Sequence, residues 1–330
     1  MSSSPKSLIG SAALLSVGVW VAQFGSFTPP ILTGSNKLME QYEAFRGHVE
    51  HEGPFDIIVF GNSVARRGVD PIQLSEHLEE RWGDSLRIYN FGVGGTTTPA
   101  FGYIVDMAYG VDQPVTALAV LGLRMAAAWT PRVNDLVEVQ LTSPYGRAVT
   151  DPVRWRGKLQ RWLLDHVQVF GLRFSLKAAL LNEGEKVQRV GRYDGKRGYR
   201  PTAKVGKAGQ RWDLARERKK EWAPDAGRRQ VLFDAISHLT NRAREVWLIQ
   251  APVHPKRLSM IEDSRRKWEQ FGQVLVDVGD ATGSRVLLIP DDLTFDSKDF
   301  ADTTHLTPNA AARYTAWIGD ELEPGPWRDR

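Results

Sequence analysis

The chain has 330 residues, 42% of them apolar, and a formal net charge of +4; that apolar content fills a full core and excludes disorder throughout. It contains no cysteine, which excludes disulfides, thiolate catalysis and Cys-based zinc or iron–sulfur centres. None of its seven histidines pairs with another at a metal-ligand spacing such as HExxH.

The first element is Leu8 to Phe27, LIGSAALLSVGVWVAQFGSF, 20 residues without a charge and preceded by Lys6. It is long enough to cross a bilayer. A cleaved signal peptide, removing residues 1–26, is the competing reading, because small residues such as Gly25 and Ser26 follow the apolar run. The lack of an A-x-A cleavage site and the length of the run favour an uncleaved anchor over residues 1–30. Either reading exports the domain that follows. A polar connector, residues 31–53, includes a helix-compatible piece around Lys37 to Val49.

Phe55 to Phe60 is a β-branched apolar run ending in Gly61, the pattern of a buried parallel strand. Pro71 to Trp82 follows as an amphipathic helix with Pro71 near its first turn. Arg87 to Phe91 reads as a second strand, Thr97 to Gly110 as a helix and Val115 to Leu123 as a third strand. Val246 to Gln250 and Val286 to Ile289 make a fourth and a fifth, separated by a helical pattern from Ser259 to Thr282. A last helix starts near Pro308, with Thr307 as its N-cap. This alternation predicts a flavodoxin-like three-layer α/β/α sandwich around a five-stranded parallel sheet, its ligand site beyond the carboxyl ends of the strands.

The sandwich takes residues 54–125 and 227–330, interrupted by an insertion over 126–226 that is longer than a usual crossover. Leu159 to Leu181 has a helical apolar face with Trp162, Leu163, Phe170 and Phe174, whereas Gly184 to Gly209 is rich in Gly, Lys and Arg and reads as a mobile loop. Arg154 to Lys220 holds 19 Lys and Arg against 6 Asp and Glu. The basic character therefore belongs to the insertion, either as a contact for anionic polysaccharide or lipid head groups or as a solvated cap.

Three motifs carry chemistry. In Gly61-Asn62-Ser63 a serine follows a buried strand behind a glycine, which holds its hydroxyl at the sheet's carboxyl edge; alone this pattern also caps ordinary helices. Asn90 to Thr97, NFGVGGTT, brings backbone amides close to a bound group, or forms a plain turn; its spacing is not GxGxxG, so a nucleotide site is discounted. Asp302-Thr-Thr-His305 supplies from one loop the base and the carboxylate that a serine nucleophile requires.

Together these blocks resemble those of the SGNH (GDSL-like) hydrolase family, over about Phe55 to Val120 and Glu245 to Leu322. The resemblance implies Ser63 as nucleophile, His305 as base, Asp302 as its orienting carboxylate, and the amides of Ser63 and Gly95 as an oxyanion hole. Three positions depart from the pattern. Asn62 replaces the usual aspartate, as in membrane-anchored members; Ala310 stands where a glycine is common; and Gly122-Leu123-Arg124 lacks the asparagine of the family's third block. Arg124 either donates to the oxyanion instead or forms a salt bridge elsewhere.

Asn62, Asn90 and His254 are candidate substrate contacts, and Arg66 and Arg67 either bind an anionic substrate group or lie on a solvated face. What the resemblance implies is a serine acyl-ester hydrolase or O-acyltransferase. Its substrate would be an acylated carbohydrate or lipid outside the cytoplasm, its anchor residues 8–27, and its partner a membrane-bound O-acyltransferase, with no cofactor, no metal and no nucleic acid. The rival from another class is an inactive protein of the same fold that binds anionic glycan or lipid through the insertion.

Overall fold

A computed structural model of the chain describes residues 37–96, 98–123, 196–202, 226–259 and 263–325. The anchor stretch 8–27, Arg124, the helical pattern 159–181 and the insertion apart from residues 196–202 and 226 lie outside these residues. Among the described residues no helix is long and apolar enough to cross a membrane.

In chain order the elements are α1 (Lys37–Glu52), β1 (Ile57–Gly61), α2 (Ser63–Gly68), α3 (Pro71–Trp82), β2 (Ile88–Asn90), α4 (Thr98–Tyr109), β3 (Thr116–Leu121), α5 (Ala226–Thr240), β4 (Glu245–Gln250), α6 (Pro255–Leu258), α7 (Ser264–Thr282), β5 (Arg285–Leu287), a 3₁₀ turn (Ser297–Asp299) and α8 (Pro308–Glu321). The strands form one sheet in the order β2-β1-β3-β4-β5, every neighbouring pair parallel. With helices covering both faces, this is an α/β arrangement of three layers.

Coverage on both faces explains why β1, and β3 after Thr116, are free of polar side chains and why both strands are wholly buried. Alternation along β1 feeds two cores. Ile57 and Val59 pack with Leu74 and Leu78 of α3 and with Tyr314 and Ile318 of α8. Phe60, on the opposite face, meets the rings of Phe101 and Tyr109 at 5.9 and 6.2 Å. The helix starts follow from local chemistry: Asp70 accepts from the N–H groups of Ile72 and Gln73 ahead of α3, and Thr307 caps α8 at Ala310.

Four sequence expectations change. The connector is not merely a linker, because α1 buries Leu38 and Phe45, the latter with its ring 4.7 Å from that of Tyr89. The long helix starts at Ser264, behind Asp263 at a positive φ of 54° and the separate short α6. The last strand stops at Leu287, since the Ile289 N–H bonds instead to Oε1 of Gln250. Finally, residues 196–202 of the supposed mobile loop are docked: Gly198 and Tyr199 are buried, and the Arg197 carbonyl accepts from the Asn90 N–H at 2.9 Å.

Gly61 shows how tightly β1 turns into α2. At its φ of +150° a Cβ would lie 2.6 Å from both Ala65 Cβ and the Val120 carbonyl oxygen. Gly61→Ala is therefore expected to cost about 2–4 kcal/mol. In Gly47→Ala, where a Cβ meets nothing within 4 Å inside α1, stability should rise by up to about 1 kcal/mol. Urea unfolding of the two variants measures both signs.

Candidate active site

Ser63 is the first residue of α2. Asn62 caps that helix by accepting from the Val64 N–H at 2.8 Å. A first-turn N–H has no partner within its own helix, which leaves the Ser63 amide outside the ladder, beside its own hydroxyl. Asn62 thus has a structural duty in its carbonyl oxygen.

The position of α2 is set by Asn90, at the end of β2 and 0% exposed. Its side-chain N–H groups donate to the carbonyls of Ala65 and Val69 at 2.8 and 2.7 Å, and its Oδ1 accepts from the Gly92 N–H at 2.9 Å. Every polar atom of that amide is used inside the protein, so Asn90 positions the serine helix and does not face a substrate. Gly92 is pressed against the same helix: a Cβ there would meet the Arg66 nitrogen at 2.6 Å. The glycine turn is further held by a Val93 N–H to Gly61 carbonyl bond of 3.0 Å and by Thr96 Oγ1 on the Val93 carbonyl at 2.7 Å. Gly95 sits exposed in this turn with φ +90°.

The loop before α8 builds the other half. An antiparallel bridge pairs Phe300 with Leu306, and the Ala301 N–H donates to the His305 carbonyl at 2.8 Å. Within that closure, Asp302 Oδ1 accepts from the N–H groups of Thr304 and His305 at 2.8 and 2.9 Å, and Oδ2 lies 2.7 Å from His305 Nδ1. Nδ1 is thereby the protonated nitrogen. Nε2, left as an acceptor, lies 2.8 Å from Ser63 Oγ across 242 residues of chain. The imidazole and carboxylate side chains are 15% and 13% exposed, which places the line of three at an accessible rim.

Burial raises the Asp302 pKa, but the hydrogen bond and charge of His305 and the two backbone donors outweigh it, and the net shift is downward. The carboxylate is ionised throughout the neutral range. Around this line sit two further side chains. His254, 4% exposed, caps α6 with Nδ1 accepting from the Lys256 N–H at 3.1 Å and packs its ring, tilted by 48°, 4.9 Å from that of Phe300. Burial and Lys256 lower its pKa against the opposing pull of Asp302, and with Nδ1 accepting, the hydrogen of its neutral form lies on Nε2. Arg67 places Nη1 3.5 Å from His305 Nδ1 and 3.5 Å from Thr202 Oγ1.

The structure therefore joins Ser63, His305 and Asp302, sets His254 against their loop and puts Asn90 behind Ser63. Arg124 lies outside the described residues. Thr202 escaped sequence reading, since a lone threonine within a basic segment carries no signal. Among the described residues no group of three His, Asp or Glu side chains is arranged to hold a metal. No protein-family model matches the chain, and no curated protein does.

Asn90→Asp tests the clamp, because it sets a buried carboxylate against two carbonyl oxygens; a loss of about 3–5 kcal/mol in urea unfolding is expected. The lowered pKa of Asp302 makes a second prediction. Its stabilising contribution is present above the ordinary carboxylate range and disappears as pH falls through the lowered folded value. Stability measured from pH 6 downward should fall less steeply in Asp302→Asn than in the wild type.

Proposed function

We propose that this chain is a serine acyl-ester hydrolase or O-acyltransferase of the SGNH type. The observation that carries the reading is the unbroken line from Ser63 Oγ through His305 to Asp302, with contacts of 2.8 and 2.7 Å. Supporting it are the strand order 2-1-3-4-5, which is that of flavodoxin-like sheets, and the placement of all three residues beyond strand ends or in the last loop.

The chemistry follows from the tautomer. His305 Nε2 takes the proton of Ser63 as Oγ attacks an ester carbonyl, and Asp302 stabilises the positive ring that results. The amides of Ser63 and Gly95 receive the oxyanion. Collapse of the tetrahedral adduct passes the proton from His305 to the departing alcohol and leaves an acyl-serine. Water then releases the acid, or a sugar hydroxyl accepts the acyl group; how well the site excludes water decides between them. Residues 8–27 hold this domain outside the cytoplasmic membrane, where acylated envelope carbohydrate or lipid is the substrate.

A fluorophosphonate probe and p-nitrophenyl acetate test the proposal. Labelling and turnover should be present in the wild type and vanish in Ser63→Ala. Asp302→Asn, which upsets the tautomer of His305, should lower kcat by about 10³–10⁴-fold. A wild type that neither labels nor turns over ester overturns the reading.

A further inference from the structure

Ser63 and Arg67 are four residues apart on α2 and so share one face of that helix. Arg67 consequently stands beside the base, its Nη1 3.5 Å from His305 Nδ1. That contact is not a hydrogen bond: Nδ1 already donates to Asp302, and a guanidinium has only donors. The other polar neighbour, Thr202 Oγ1, is at the outer limit of hydrogen bonding at 3.5 Å. Asp302 is committed to His305 and to two backbone amides, and among the described residues no carboxylate forms an ion pair with Arg67.

Asp302 supports the positive form of the ring, and Arg67 sets a like charge beside it. The imidazole must become positive when it takes the serine proton, and a half-buried cation at van der Waals distance opposes that. An anionic group bound by Arg67 removes the opposition and adds charge-assisted hydrogen bonds to a planar donor fork. His305 hands its proton to the departing alcohol from Nε2, and Arg67, which shares a helix face with Ser63 and neighbours the same ring, is within reach of the alcohol half of the ester.

We infer that Arg67 is the specificity-determining residue of this site, selecting esters whose alcohol portion carries a carboxylate or phosphate close to the scissile oxygen. The inference rests on the acyl-ester reading above and names its substrate class. Thr202, from the basic insertion, steadies the guanidinium in that place.

The test uses the full chain and three small esters: an O-acetylated methyl glucuronoside, the same compound as its neutral methyl ester, and an O-acetylated methyl glucoside 6-phosphate. Acetate release is measured alongside fluorophosphonate labelling of Ser63. The wild type should favour at least one charged ester over the neutral one by about tenfold or more in kcat/KM, and added salt should shrink the ratio. Preference for the uronate indicates an acidic glycan; preference for the phosphate indicates a phosphorylated alcohol. Arg67→Met should abolish the ratio while still labelling at Ser63, and Arg67→Lys should restore part of it. Equal kcat/KM for charged and neutral esters in a wild type that labels overturns this inference and leaves the acyl-ester reading standing. Absence of labelling overturns both, and the wild-type ratio decides the matter even where a variant fails to fold.

Discussion

The Asn90 side chain is the fixed point of the molecule. A primary amide offers two donors and one acceptor in a plane, and this one spends its donors on carbonyls of α2 and of its C-cap Val69, and the acceptor on the glycine turn. Its main chain is equally occupied: its N–H donates to Arg197 and its carbonyl accepts from Gln41 Nε2 of α1. One fully buried residue therefore ties together a strand end, the serine helix, the turn beside it, the first helix and a piece of the insertion. No other side chain supplies that set, since aspartate cannot donate and glutamine reaches a bond further. Without the clamp, α2 is six residues long and too short to hold its own place.

The two halves of the site are built by different means. Asp302 and His305 orient one another within a loop of a few residues, whose turn bonds, bridge and tautomer all come from neighbouring groups. That half would be recognisable in almost any fold. Ser63 depends instead on long-range packing, with β1 and β3 meeting at Gly61 and Tyr314 of α8 donating its hydroxyl to the Gln250 carbonyl at the end of β4. The 2.8 Å contact between the halves reports the whole sheet, because an error of one residue in any register would move the serine by more than 3 Å.

What could be read from the chain beforehand divides along the same line. The strands were legible from apolar runs, because burial on both faces leaves an unmistakable composition, and α3 and α8 from their proline and capping residues. That Ser63, His305 and Asp302 come together was legible because their residue types and order are distinctive. Asn90 was legible only as part of a glycine-rich block, and its duty was misassigned: sequence shows an amide but not that all its polar atoms face inward. The role of α1 was missed since its apolar residues are sparse, and one phenylalanine, Phe45, inserted among Phe55, Tyr89 and Phe91 does most of the packing.

The docked stretch Lys196–Thr202 was the hardest to foresee, and its chemistry explains why. It attaches by main-chain bonds, the Arg200 N–H to the Arg66 carbonyl at 3.0 Å and the Arg197 carbonyl to the Asn90 N–H, which any sequence can make. Specificity comes from Gly198, where a Cβ would fall 2.1 Å from the Asn90 carbonyl oxygen, and from the buried ring of Tyr199. Arg197 is neutralised by Glu52 through two contacts of 2.8 Å, and Glu52, despite the burial that raises its pKa, is held below the ordinary range by His48 and Arg197. Residues 196–202 thus meet the serine helix with the charge of Arg197 cancelled. The cation left beside the imidazole, Arg67, belongs to α2 itself and not to the docked stretch.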